Sequence, residues 1–103
     1  MNLEQVYKAL SNELRRDILM WLKHPEDNFP KMEHLPESEQ GKGYICVSCI
    51  QDKAQMTQST ISSYLMVLKS SGLLESKRIG QWTYYKRDEQ YIKSVIEHLT
   101  ETL

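Results

Sequence analysis

Apolar residues recur along this chain with two different periods, and the change of period divides it into elements. Leu3, Val6, Tyr7 and Leu10 fall at helical spacing, which predicts a short amphipathic helix over the first ten residues. Ser11 or Asn12 can cap a second helix with Leu14, Ile18, Leu19 and Leu22 as its stripe. His24-Pro25 ends it, because proline lacks the donor N–H and restricts the residue before it. Asp27–Gly43 holds no period. Its prolines, glycines and acids predict a long surface loop. Order resumes at Tyr44, and Val47, Ile50 and Ala54 suit a short helix. Thr57 then caps a longer one, whose Ile61, Leu65 and Leu68 form a single stripe and whose end is marked by Gly72.

Beyond Leu74 the period shortens toward two. Leu74–Ile79 and Trp82–Lys86 flank Gly80-Gln81, which predicts a hairpin with a glycine turn. Asp88 caps a last helix with Tyr91, Ile92, Val95, Ile96 and Leu99 on its apolar face. The expected architecture is mainly α with a β-hairpin wing, in the order α-α-loop-α-α-β-β-α. A chain of 103 residues supports one modest core, so residues 1–103 are expected to form one domain.

The short helix, the tight Gln55-Met56-Thr57 turn and the longer helix make a helix-turn-helix, whose second helix enters the major groove of DNA. Opposite its apolar stripe this helix carries Ser59, Thr60, Ser63, Met66 and Val67, with Gln58 at its start. A freely solvated face would gain more from Glu, Lys and Arg. Short hydroxyl and amide groups suit base edges, and the free N–H groups at the helix start suit a phosphate.

Composition is that of an ordinary soluble domain, and a net charge of −1 argues against a sequence-blind coat for nucleic acid. Distribution changes the picture. Lys69–Arg87 has a local balance of +4, flanked by His24–Glu39 at −4 and the stretch from Asp88 onward at −3. A basic segment at the hairpin is what phosphate attraction needs, and Lys77 and Arg78 can reach phosphates or the minor groove. Trp82, Tyr84 and Tyr85 invite a base-stacking reading, but in so small a domain aromatics there are expected mainly to build the core. No apolar run is long enough to span a bilayer and the first residues lack a signal-peptide layout, so no membrane partner and a cytoplasmic location are expected.

These residues carry a family resemblance. The phrase ALSNELRRDIL resembles the opening of the second helix in the ArsR/SmtB family of winged helix-turn-helix bacterial repressors. MTQSTISSYLMVLKSSGLL resembles that family's recognition region, and KRIGQWTYY its wing. The likeness covers most of the chain apart from Asp27–Gly43. It implies a homodimer on a two-fold symmetric double-stranded operator, released by an inducer. By position it implies Gln58, Ser59, Thr60, Ser62 and Ser63 as the major-groove helix, and Lys77, Arg78 and Gln81 as the wing. It also implies a dimer interface from the first and last helices. The residues reach that point independently, since Leu3, Val6 and Leu10 at one end and Tyr91, Ile92, Val95, Ile96 and Leu99 at the other are natural material for a shared interface.

Cys46 and Cys49 lie at the start of the short helix, three positions apart. They can act as small buried groups, close a reversible disulfide, or grip a soft metal or metalloid. Two ligands are too few for a closed zinc site. The family's thiolate sensors carry a Cys-Val-Cys phrase, whereas this chain has Cys46-Val47-Ser48-Cys49. The family's last-helix metal site is broken here: His98 and Glu101 are present, but Tyr85 and Arg87 stand at its upstream positions. No cofactor is therefore assigned, and the inducer is not legible.

Catalysis is not expected. The three histidines, His24, His34 and His98, sit in or near loops and chain ends, and Ser59, Ser62 and Ser63 have no evident base. A Cys-x-x-Cys reads as a thiol oxidoreductase only near a βαβ pattern, which is missing. The alternative to a DNA-binding regulator is a winged-helix module that binds protein through the same apolar surfaces.

Overall fold

Burial follows the two periods closely. The computed structural model describes residues Met1–Leu103. Helix α1 (Leu3–Leu10) is capped by Asn2 and turns Val6 and Ala9 fully inward. Helix α2 (Glu13–Lys23) is capped by Asn12, whose side-chain oxygen accepts from the Arg15 N–H at 3.0 Å. Its Ile18, Leu19 and Leu22 are buried. The two arginines of this opening serve the preceding helix. Arg15 donates to the carbonyls of Ala9 and Lys8 at 2.9 and 2.8 Å, and Arg16 to that of Leu10 at 2.7 Å. Carbonyls in the last turn of α1 thereby accept from cations, which the helix dipole also favours there.

Pro25 ends α2 but does not begin a loop. It opens a one-turn helix, α3 (Pro25–Asn28), where a missing N–H costs nothing. The expected surface loop is likewise corrected. Phe29, Met32 and Leu35 are buried members of the core, a 3₁₀ turn spans Glu37–Glu39, and the Gln40 side-chain amide donates to the carbonyls of Met32 and Leu35 at 2.7 and 3.1 Å. These apolar residues stand singly in irregular backbone, so no period marks them.

A third strand also escaped the pattern. Strand β1 (Ile45–Cys46) pairs antiparallel with β3 (Trp82–Arg87), with Ile45 opposite Tyr85 and Cys46 opposite Tyr84. Strand β2 (Leu74–Ile79) pairs with the other edge of β3, giving the order β1-β3-β2. Two residues are too short to show alternation. The wing is therefore the outer part of a small sheet, with Tyr84 and Tyr85 buried beneath it.

Between β1 and β2 lie α4 (Val47–Ala54) and α5 (Gln58–Ser70), joined by a turn in which Gln55 takes the left-handed conformation at φ 54°. Ile61, Leu65 and Leu68 of α5 are at most 1% exposed and pack with Val6, Ile18, Ile50 and Tyr84. The chain closes with α6 (Glu89–Thr102), capped by Asp88. No helix is long and apolar enough to cross a membrane.

Gly72, which follows α5, has φ +90°, and a Cβ there would lie 2.7 Å from the ring of Tyr91 on α6. Both backbone and space demand glycine. Gly72→Ala should lower unfolding stability by about 1–3 kcal/mol in urea titration, whereas Gly80→Ala at the open wing tip should cost less.

Candidate nucleic-acid interface

Helix α5 is oriented by its own stripe. With Ile61, Leu65 and Leu68 in the core, Gln58, Ser59, Ser62, Ser63 and Met66 are left facing solvent. Two further contacts fix its roll. Tyr64 accepts from the Asn12 side-chain amide through its hydroxyl at 3.3 Å, and the Arg15 guanidinium lies 5.0 Å from the centre of its ring. The first turn of α2 is thus tied to the exposed helix. Sequence reasoning missed Tyr64; its signal was a lone aromatic in a run of serines.

The N-terminus of α5 carries a hydroxyl cluster. Thr57 accepts from the Thr60 N–H at 3.3 Å and donates to the Thr60 hydroxyl at 2.9 Å, while Ser59 lies 3.3 Å from the same Thr57 oxygen. Thr60 is thus half-buried and engaged in the cap, while Gln58, Ser59, Ser62 and Ser63 stay exposed. Gln58, Ser62 and Met66 of α5 meet Gln81, Trp82 and Thr83 of the wing across a cleft of about 450 Å³, which also takes in Cys46 and Gln51. The fold therefore gathers three expected residues, Gln58, Ser62 and Gln81, and adds Gln51, Met66 and Thr83. Ser59 and Ser63 do not line this cleft.

Charge on the wing is less free than its sequence suggests. Lys77 donates to Glu39 of the acidic segment, Lys86 lies 3.7 Å from Glu75, and Arg87 makes a two-pronged pair with Glu89 at 2.8 and 3.1 Å. Lys77, with its hydrogen bond, holds the Glu39 carboxyl below the usual carboxylate range, against the opposing effect of burial. Arg78 makes no ion pair and is exposed, as is Gln81 at the tip. Trp82 stacks on His34 of the acidic segment, with ring centres 4.8 Å apart and planes inclined by 12°.

The terminal helices divide the expected interface residues. Val6 and Val95 are 0% and 4% exposed within the protomer, so the expectation that they face a partner is corrected: both are core residues. For Val6 the physical cause is that α1 packs on α2 and α5 and spends its inner stripe there, while Val95 joins the same apolar core from α6. Leu3, Leu10, Tyr91, Ile92 and Leu99 are half-buried, and Ile96 is 58% exposed. Only Val95 of the α6 face is fully buried, while Tyr91, Ile92 and Leu99 pack partly against the core.

Cys46 is the N-cap residue of α4 and Cys49 lies in its first turn. Burial pushes the Cys46 thiol up, but its 2.8 Å hydrogen bond with Ser48, the N–H groups of Cys49 and Ser48, and the Cys49 thiol together hold it below the ordinary value. Burial and then the neighbouring Cys46 charge push Cys49 up to about 11. No third His, Cys, Asp or Glu gathers with them; the one such trio on the chain is His24, Glu26 and Asp27, all exposed. His34 is committed to Trp82. One protomer's donors do not complete a metal site.

No family model matches the chain. It is 48% identical over 95 residues to an uncharacterised HTH-type transcriptional regulator, YbzH, of Bacillus subtilis (strain 168), covering 92% of each chain. The chain belongs to the ArsR/SmtB family of winged helix-turn-helix transcriptional regulators. The arsenical resistance operon repressor of Bacillus subtilis (strain 168) is 24% identical over 93 residues, 90% of this chain and 72% of that protein. Among solved structures, the homodimeric winged helix-turn-helix DNA-binding domain of a possible ArsR-family regulator from Mycobacterium bovis matches with a TM-score of 0.63. Its identity is 26%, over 96% of this chain and 78% of that one. As a member of this family the protein is a transcriptional regulator with a winged helix-turn-helix DNA-binding domain.

The unequal thiols make a direct prediction. A thiol held below its ordinary value is nucleophilic at lower pH, so Cys46 should react with iodoacetamide before Cys49. Peptide mass spectrometry across pH 7–9, under partial labelling, should find the label on Cys46. Equal labelling of both would contradict the assigned hydrogen bonds.

Proposed function

We propose that this regulator binds a two-fold symmetric operator as a homodimer and represses transcription from the cytoplasm, until an inducer releases it. The observation that carries the reading is the solvent face of α5: Gln58, Ser59, Ser62 and Ser63 present hydrogen-bonding groups without charge, on a helix whose roll is fixed by three buried aliphatics and by Tyr64. Major-groove base edges are read by such groups. Thr60 supports them from within the cap, Gln81 and Arg78 extend the contact along the wing, and Arg78 is the unpaired cation available to a phosphate. The apolar residues left on α1 and α6, above all Ile96, are the material for a dimer that would set two reading helices about one DNA turn apart. The homodimeric Mycobacterium bovis domain supports the same arrangement.

The candidate sensing group is the thiol pair Cys46 and Cys49, with a soft metal, a metalloid or reversible oxidation as the signals to test. Cys46 borders both α4 and the cleft against α5, so a change in its bonding acts on the support of the reading helix. Operator affinity of the wild type and a Cys46→Ser, Cys49→Ser variant should be compared when reduced, mildly oxidised, and with zinc, cadmium or arsenite. Release confined to the wild type in one condition names the signal; identical behaviour in all conditions makes the cysteines structural.

Mobility-shift titration against the upstream region, with scrambled competitor, tests the DNA reading; equal affinity for both DNAs at physiological salt would sink it. Ser59→Ala should weaken the operator more than random DNA, by about 1–3 kcal/mol if it contacts a base edge. Arg78→Ala should weaken both and lower the salt slope by about one per protomer. Ile96→Glu should leave the protomer folded and yield monomers in sedimentation, with operator affinity reduced. A variant still dimeric at low micromolar concentration would move the interface elsewhere.

A further inference from the structure

The acidic segment and the basic wing are far apart in sequence yet lie against each other. Glu39 is held in place before any partner arrives. The Gln40 amide closes the segment on the carbonyls of Met32 and Leu35, whose side chains are buried. A second tie, the stack of His34 on Trp82, fixes the same segment to the wing tip. From this frame one Glu39 oxygen takes the ammonium of Lys77, and the other, buried and without a hydrogen bond, lies 3.6 Å from Lys42. The Glu39 side chain is 13% exposed and that of Lys77 is 45% exposed. The carboxylate therefore approaches Lys77 from the protein side, while the rest of the ammonium faces solvent at the wing. Breaking this pair would leave the mostly covered Glu39 carboxylate with Lys42 as its one remaining cation.

We propose that Glu39 is an internal phosphate competitor, which withholds Lys77 from DNA and sets the strength of the wing's sequence-blind grip. A phosphate reaching the wing meets Arg78 unpaired and Lys77 already neutralised, with the Glu39 charge behind it. Because the competition involves backbone charge and no base edge, it lowers affinity for operator and random DNA alike.

The inference rests on the DNA-binding reading, and one set of titrations separates the two. Wild type, Glu39→Gln, Lys77→Gln and the double variant are each titrated with operator and scrambled duplex from 50 to 300 mM salt. Unfolding curves confirm that each is folded. Glutamine keeps an acceptor for Lys77 but removes the charge. Glu39→Gln should bind both duplexes several-fold more tightly and steepen the salt slope by about 0.9 per protomer, the value of one added phosphate contact. Lys77→Gln alone should leave the slope near that of the wild type, because that lysine is already held. In the double variant the gain should vanish. If Glu39→Gln leaves slope and affinity unchanged, or if Lys77→Gln alone lowers the slope by about one, Lys77 is not withheld and the proposal fails while the DNA reading stands. If the wild type binds neither duplex at any salt, both fall.

Discussion

Burial of Ile61, Leu65 and Leu68 is the constraint on which the rest depends. One stripe of α5 is consumed by the core, at roughly 1.5–3 kcal/mol for each fully buried side chain. The opposite face then has no freedom to choose its surroundings. Every element around α5 answers to this placement: α1 and α2 pack on it, Tyr64 ties it to Asn12 and Arg15, and β2 leaves its end through a turn only glycine fits. The helix that would read DNA is firmly anchored by its buried stripe, which suits a surface whose hydrogen bonds must be aimed.

Electrostatics works on a second level, and folding rearranges it. Along the chain, acid and base are separated into blocks. In the folded protein the 3₁₀ turn at Glu37–Glu39 lies against the wing, and Glu39 meets Lys77. The Tyr44 ring lies beside the same cations, with the ammonium groups of Lys86 and Lys77 at 4.8 and 5.9 Å from its centre. A charge block read from sequence thus overstates the field available to a polyanion, because side chains from a remote block are within reach after folding. Exposed pairs of this kind add little stability. Their consequence lies in which cations remain unpaired, and on the wing that is Arg78.

Much of the fold was legible from pattern. Five helices of two turns or more, the hairpin and its glycine turn, and the caps at Asn12, Thr57 and Asp88 all follow from periodicity and from residues with a known job at a helix start. The misses share a cause. Strand β1 has two residues, α3 has four, and Phe29, Met32 and Leu35 are inserted singly, so none presents a repeat long enough to register. The pattern offers Val6 and Val95 as interface together with the other apolar residues of the terminal helices, yet both belong to the protomer. Amphipathicity says that a face is covered without saying by what.

The sequence by itself determined which helix would turn an uncharged, hydrogen-bonding face outward, because a 3.6-residue period and three aliphatics leave one arrangement for it. It determined the wing, since alternation and Gly80 allow little else, and it carried the family likeness. Only the tertiary structure decided which of those groups act together. The cleft joining Gln58 and Ser62 to Gln81, the cap that engages Thr60, the unequal environments of Cys46 and Cys49, and the capture of Lys77 by Glu39 all join groups through packing in space. Local patterns carry periodicity because each residue's direction depends on its neighbours in the chain. Pairings across 38 residues, such as that of Glu39 and Lys77, depend on how separate elements pack, and no local period records that.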